Sequence, residues 1–458
     1  MNTDLMSNTQ SSNTSSNVTA STSTSKPMPK KEKKKTEISS INNFQIEVHD
    51  VKTSLPNNIW FIPSKHQFIS MSVIFLGAGA KNVNQTHPAL SMFLGILNKG
   101  CGNFDQYQFL KKVYDNGANL NFYMGIDDAF VSFWAPINSY EEPLNFISSI
   151  CLSPVCPKDQ FEKMRLDIRN SFKESLKSPK THLWEAFQNA FYPESHPYRA
   201  SLQSVEKDID LIRVNNIREY LNFLSQENAI VVVLGPREKE KEIVENIEKM
   251  LLKFPPKGKP TVSEYGEIKT PEKDISVYFD IPQTMILGRL PGFFYSDPDY
   301  YAKKLALMIV ADGALDTMFF KEIREKKGLA YYCYGTDIIN EGDAFLQFII
   351  GTRNETLEEV KKIIREMILN ISKNGVSKSD FNTAKNMMLG NMVVNLDSSP
   401  RIVNFFAENR ATGKSIANIK EIINLCKKLT LSDINKACRQ IFDPRLLRFV
   451  SIGGTVEK

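Results

Sequence analysis

Phe319-Phe320-Lys321-Glu322-Ile323-Arg324-Glu325-Lys326-Lys327-Gly328-Leu329-Ala330 reads as a helix stopped by a glycine, and the chain carries a near copy of it earlier, in Phe109-Leu110-Lys111-Lys112-Val113-Tyr114-Asp115-Asn116-Gly117-Ala118. The segments downstream of the two copies match as well. Asp128-Ala129-Phe130-Val131-Ser132-Phe133 and Asp343-Ala344-Phe345-Leu346-Gln347-Phe348 are alternating strands of one type. Phe161-Glu162-Lys163-Met164 then pairs with Phe381-Asn382-Thr383-Ala384, and Ser178-Pro179 with Ser399-Pro400. The offset is 215 residues from Ala129 to Ala344, 220 from Phe161 to Phe381 and 221 from Pro179 to Pro400. Four pieces in order, with a slowly rising offset, describe two diverged copies with small insertions.

The copies occupy about 41–255 and 270–458. Residues 256–269 form the linker, inside a stretch where Pro255, Pro256, Pro260 and Pro271 break any regular element. Each copy mixes strands with long helical patterns such as 359–373 and 378–395. The expected class is α+β: two homologous halves, each an antiparallel-rich sheet with helices packed on one face.

The 458 residues suit two domains, and 42% hydrophobic with 24% charged residues is a globular composition. No apolar run approaches the ~18 residues of a membrane span; the densest, Ile230–Leu234, has the length of a buried strand. Of the net charge of +5, residues 1–40 supply +3 through six lysines against Asp4, Glu32 and Glu37. The remainder is too weakly basic for a nucleic-acid surface. Residues 1–25 hold 18 Ser, Thr or Asn, so 1–40 is expected to be a disordered low-complexity head. It carries no readable export or import signal, which favours the cytoplasm and leaves periplasm or organelle open. The six cysteines lack metal-site spacing and read as buried or incidental thiols.

These residues resemble the pitrilysin (insulinase, inverzincin) metallopeptidases, in particular the small-subunit branch that includes mitochondrial processing peptidase. The likeness covers nearly all of 45–455. It rests on Gly77-Ala78-Gly79, the helix Pro88–Asn98 followed by Lys99-Gly100, His196-Pro197-Tyr198, and above all Ile323–Tyr331. Active members carry H-x-x-E-H on the first helix and a further Glu on a later one. Positions i and i+4 share a helix face, so two histidines hold one zinc while the glutamate beside the second polarises the attacking water. Anchored on Lys99-Gly100, the histidine positions here are Ser91 and Gly95, and the glutamate position is Leu94. The later glutamate falls at Asn170 or Ser171. His87 lies one turn before Ser91 without a companion ligand, and reads as a helix-start residue. The resemblance therefore implies no metal in this chain and no peptide hydrolysis by it alone.

Arg324 and Tyr331 match the pair that family members contribute from the second half to grip the peptide carbonyl and steady the oxyanion. A permanent guanidinium and a neutral phenol suit developing negative charge. The pattern implied is a non-catalytic subunit that pairs with a separate zinc-bearing H-x-x-E-H chain and closes a chamber around a short or unfolded peptide. Such a pair would be a metalloendopeptidase. The alternatives are an inactive binding or scaffold protein of the same fold, possibly homodimeric, or an enzyme with an unrecognised site. Among other candidates, Trp60, Trp134 and Trp184 read as core, Asp127-Asp128 as a turn, and Tyr332 is expected to face away from both Tyr331 and Tyr334.

Overall fold

A computed structural model describes residues 46–454 apart from 83–89, 200, 263, 314–315 and 395. The head expected at 1–40 and His87 lie outside the described residues. Gln45–Lys458 cluster as one compact unit.

The repeat is visible in the sheets. β1 (His49–Val51), β2 (Ile59–Ser64), β3 (Phe68–Phe75), β4 (Asn119–Met124), β5 (Ala129–Pro136) and β6 (Ala229–Pro236) form one sheet in the order β1-β2-β6-β3-β5-β4. β7 (Ile275–Tyr278), β8 (Gln283–Pro291), β9 (Ala330–Ile339), β10 (Ala344–Arg353) and β11 (Arg448–Gly453) form the other, in the order β7-β11-β8-β10-β9. Without β1 the two orders are identical. Even the parallel pair recurs in its place, β2 with β6 and β7 with β11, while every other neighbour is antiparallel. Ile230–Leu234 fills β6, which is buried along its whole length, as a central strand covered on both faces should be.

The first half carries α1 (Leu90–Phe93), α2 (Gln106–Asp115), α3 (Glu141–Leu152), α4 (Lys158–Ser175), α5 (Pro179–Phe191), α6 (Leu202–Leu211), α7 (Val214–Leu221) and α8 (Glu240–Leu251). The second carries α9 (Tyr300–Val310), α10 (Leu357–Asn374), α11 (Lys378–Val394), α12 (Ser399–Ala411), α13 (Ile416–Lys428) and α14 (Leu431–Ile441). Most pack on one face of their own sheet. Phe61, Val73, Phe75, Phe93, Val131 and Val233, each fully buried, belong to the core formed there in the first half.

Two equivalent helices do something else: they change halves. Leu183, Phe187 and Phe191 of α5 share a core with Leu287, Phe345, Val450 and Ile452 of the second sheet. α12 returns the exchange by lying on β3 and β6. Its Arg410 donates to Val231 O at 2.9 Å and to Asn58 O, with the guanidinium 4.9 Å from the Trp60 ring. Ser178-Pro179 and Ser399-Pro400, the last matching pieces of the repeat, are the starts of these helices, where proline costs no hydrogen bond. Each sheet thus has its own helices on one face and a borrowed helix on the other.

The structure corrects one aromatic: Trp184 is 41% exposed on α5, whereas Trp60 is buried. The six cysteines are free thiols, five buried and Cys156 half-buried.

Candidate active-site elements

The described part of the helix expected over Pro88–Asn98 is an α-turn, α1, continued by a 3₁₀ stretch at Leu94–Lys99. Leu94 is buried and Gly95 is exposed; a Cβ placed on Gly95 would face only the Met164 methyl, 3.8 Å away. Phe93 stacks on Phe161 of α4 at 5.1 Å. The Arg165 guanidinium lies 5.5 Å from the first ring and 5.2 Å from the second. Asn170 and Ser171 are exposed on the same helix. Zinc does not fit here. The described positions offer no imidazole or carboxylate, and a fixed guanidinium charge beside the helix opposes a cation. Among the described residues no cluster of His, Cys, Asp and Glu could hold a metal.

The second half departs from the first in a different way. From Phe109 to Phe319 the offset is 210 residues; from Gly117 to Gly328 it is 211. The extra residue is taken up where α2 would continue regularly, because Phe320–Lys326 is a π-helical turn, the wider coil that absorbs an insertion without ending the helix. Both copies then stop alike, with Gly117 and Gly328 at φ +62° and Ala118 N and Leu329 N reaching back 2.9 Å to Val113 O and Ile323 O. Arg324 stands on the widened turn, exposed, its guanidinium 5.0 Å from the Phe320 ring. Among the described residues it makes no ion pair.

Tyr331 is the unpaired residue of a β-bulge. Tyr332 lies opposite Gly351 and Ala330 opposite Thr352, which leaves Tyr331 without a partner on β10 and 50% exposed. Bulges re-aim side chains in this way. Tyr332 corrects the expectation in part: its ring lies 6.4 Å from that of Tyr334, so these two share a side. The reason is the period of two along a strand. Tyr332 crosses the face of Gly351, where a Cβ would come within 2.4 Å of its ring.

Asp127-Asp128 forms the turn expected before β5, and it meets the turn before β10, a contact that sequence reasoning passed over. Asp127 accepts from Tyr198 Oη at 2.7 Å and from Glu341 N at 2.8 Å. Tyr198 Oη in turn accepts from Gly342 N at 2.8 Å. Lys81, its side chain wholly buried, donates to Tyr265 Oη at 2.9 Å and is ion-paired with Glu341. Asp343 is held by both oxygens at 2.9 Å by Arg289 and accepts from Tyr192 Oη at 2.6 Å. His196 is fully buried beside Tyr192, its Nδ1 accepting from Tyr198 N at 3.1 Å, and burial lowers its pKa. The His-Pro-Tyr motif is therefore part of a joint between halves. The available signal was its pairing with Asp127-Asp128, two polar clusters that no single-strand reading explains.

Residues 215–388 match the family described as "Peptidase M16 inactive domain". The chain is 18% identical over 373 residues to "Uncharacterized zinc protease YmxG" of Bacillus subtilis, covering 81% of this chain and 89% of that one. It is 21% identical over 410 residues to an "Uncharacterized zinc protease" of Mycobacterium bovis, covering 86% and 91%. Among solved structures, a peptidase M16 inactive domain from Pseudomonas fluorescens superposes with a TM-score of 0.81 at 18% identity, over 91% of this chain and 99% of that one. The periplasmic protease PqqL of Escherichia coli gives 0.72 at 13% identity, over 90% of this chain and 47% of its own length. The duplicated sheets and the Ile323–Tyr331 motif agree with these likenesses: residues 215–388 match the M16 inactive-domain family, and the chain as a whole has the fold of a solved M16 inactive domain.

Proposed function

We propose that this chain is the non-catalytic subunit of a peptidase pair: it binds no zinc, closes a peptide chamber against a zinc-bearing H-x-x-E-H chain, and lends that chain Arg324 and Tyr331. The observation that carries the reading is that two backbone irregularities, a π-turn and a β-bulge, present these two side chains to solvent in the half that keeps its motif. Irregular turns of both kinds concentrate at functional sites, and neither residue is consumed by packing. Arg324 would orient the scissile carbonyl by charge, and the Tyr331 hydroxyl would donate to the oxyanion as it forms. The substrate class is a short or unfolded peptide. No described helix is long and apolar enough to cross a membrane.

The test is reconstitution with a co-purified or genetically neighbouring H-x-x-E-H chain. Arg324→Ala and Tyr331→Phe should leave assembly intact while cleavage falls by about 10²–10³, in kcat more than KM. Elemental analysis of the pair should place its zinc in the other chain. Full activity in the double variant would leave the scaffold reading, in which the chamber binds without assisting chemistry.

A further inference from the structure

Among the described strands β1 has no twin in the second sheet, whose five strands repeat the other five of the first. It is also lightly held. Three residues long, it lies at the sheet edge, pairs His49 with Phe61, Asp50 with Trp60 and Val51 with Ile59, and is exposed or half-buried throughout. Charge fastens it beyond β2. His49 Nδ1 donates to both oxygens of Glu240, the first residue of α8, at 2.8 Å, and Nε2 donates to Glu47 at 2.8 Å. Glu47 is held in turn by Arg237. Ionised carboxylates only accept, so both ring nitrogens carry a proton and the imidazole is a cation. The other charges nearby have their own partners or places. Lys239 and Lys241 pair with Glu242 and Glu245, and Asp50 lies on the opposite face of the strand. From β2 the ring meets Phe61, at 6.4 Å. Just beyond β1, Ser54 N donates to Glu248 of α8 at 2.7 Å, which anchors the chain where the strand has ended.

We propose that His49 is a proton-operated latch on β1: protonated, it clamps the strand between Glu47 and Glu240; neutral, it lets the strand leave β2 as far as the anchor at Ser54. A neutral ring has one N–H, so one of the two carboxylates is left facing a nitrogen lone pair. Release costs little packing. Of the three residues of β1, Val51 alone rests against the apolar core, and the five duplicated strands keep their pairing. The sign of the response follows from the partners. Glu47 first, then Glu240, raise the His49 pKa above its ordinary value against the effect of burial, so the closed strand holds the proton more tightly than the open one. The latch is at full strength below the ordinary histidine value and is lost as pH rises through the raised one.

Amide exchange of the full chain, followed by mass spectrometry from about pH 5.5 to 8.5 and corrected for the intrinsic rate, tests the latch, with peptides from β10 as the internal reference. Protection of residues 47–51 should fall as pH rises. The fall should total about tenfold for each unit by which the His49 pKa, measured by NMR on the same chain, exceeds the ordinary value. His49→Gln, which never carries the charge, should leave these amides poorly protected at every pH. Glu240→Gln removes one of the two carboxylates, and should move the loss of protection to lower pH while β10 exchanges as in wild type. Protection at 47–51 that is flat with pH in the wild-type chain would overturn the latch. So would a wild-type pH dependence in His49→Gln, or an unmoved transition in Glu240→Gln. The measurement needs neither partner nor peptide, so its outcome is separate from that of the cleavage assay.

Discussion

Asp128-Ala129-Phe130 and Asp343-Ala344-Phe345 are the same three residues at the same point of the fold, yet the two aspartates live differently. Asp343 faces Arg289, which clamps both carboxylate oxygens within a box of aromatic rings, Phe345 at 4.1 Å and Phe191 at 4.6 Å. In the first half the strand position equivalent to Arg289 is Ser72, paired with Ser132 as Arg289 is with Gln347. Asp128 is left with one backbone donor, Gly77 N at 2.8 Å, and burial pushes its pKa up to about 6, aided by the neighbouring Asp127. A motif fixes where a carboxyl sits; the strand beside it decides whether the charge is welcome.

One substitution tests this difference, because it should have opposite signs at the two positions. Asp343→Asn strands the Arg289 guanidinium, 5% exposed, without its counter-ion. Breaking a buried pair from one side costs about 3–5 kcal/mol. Urea unfolding at neutral pH should show that loss, and a change under about 1 kcal/mol would mean that the aromatic box alone accommodates the cation.

At Asp128 the same change should be harmless or helpful. The folded-state pKa is raised from the ordinary value, so the folded chain holds the proton more tightly than the unfolded one. That contribution is full below about pH 4 and is lost as pH rises through about 6. Asp128→Asn keeps an acceptor for Gly77 N and removes the charge. It should gain on the order of 1–2 kcal/mol over wild type at pH 7.5 and nothing at pH 4. A gain that is flat with pH would show that Asp128 is better compensated by Lys81 than its burial implies.

The comparison of halves also marks what the sequence could show. That the two sheets share one strand order is what the repeat implies, but the order itself is not written in it. Nor is the destination of α5 and α12. The buried positions Val403, Phe406 and Ala407 say which face of α12 is apolar, but either sheet would satisfy them. Leu94 and Gly95 show in the sequence itself that these two positions offer a metal no side-chain ligand. The π-turn was written as a one-residue step in the offset between Phe319 and Gly328, yet an insertion does not announce whether a helix will widen or a loop will lengthen. The bulge at Tyr331 has no local signal at all, since it is a property of the pairing with β10. The inter-half joint was missed because Tyr198, Asp127 and Glu341 are remote in sequence and each looks like an ordinary surface residue.

The smallest expected difference lies at the two glycines that end the repeated helix. Gly117 and Gly328 both have φ +62°, so alanine at either must enter the left-handed region, at about 1 kcal/mol. Their surroundings separate them. A Cβ on Gly328 meets nothing within 4 Å, whereas one on Gly117 would press on Pro136 Cγ at 3.3 Å and Cδ at 3.6 Å. Gly328→Ala should therefore show the backbone cost alone, and Gly117→Ala that cost plus a few tenths of a kcal/mol of crowding. The ring of Pro136 is held in β5 and gives little, so the order should be measurable by urea unfolding of the two variants under one condition. If Gly328→Ala proves the more damaging, the left-handed turn after the π-helix carries strain that its twin after α2 does not, and the motif half is the less relaxed of the two.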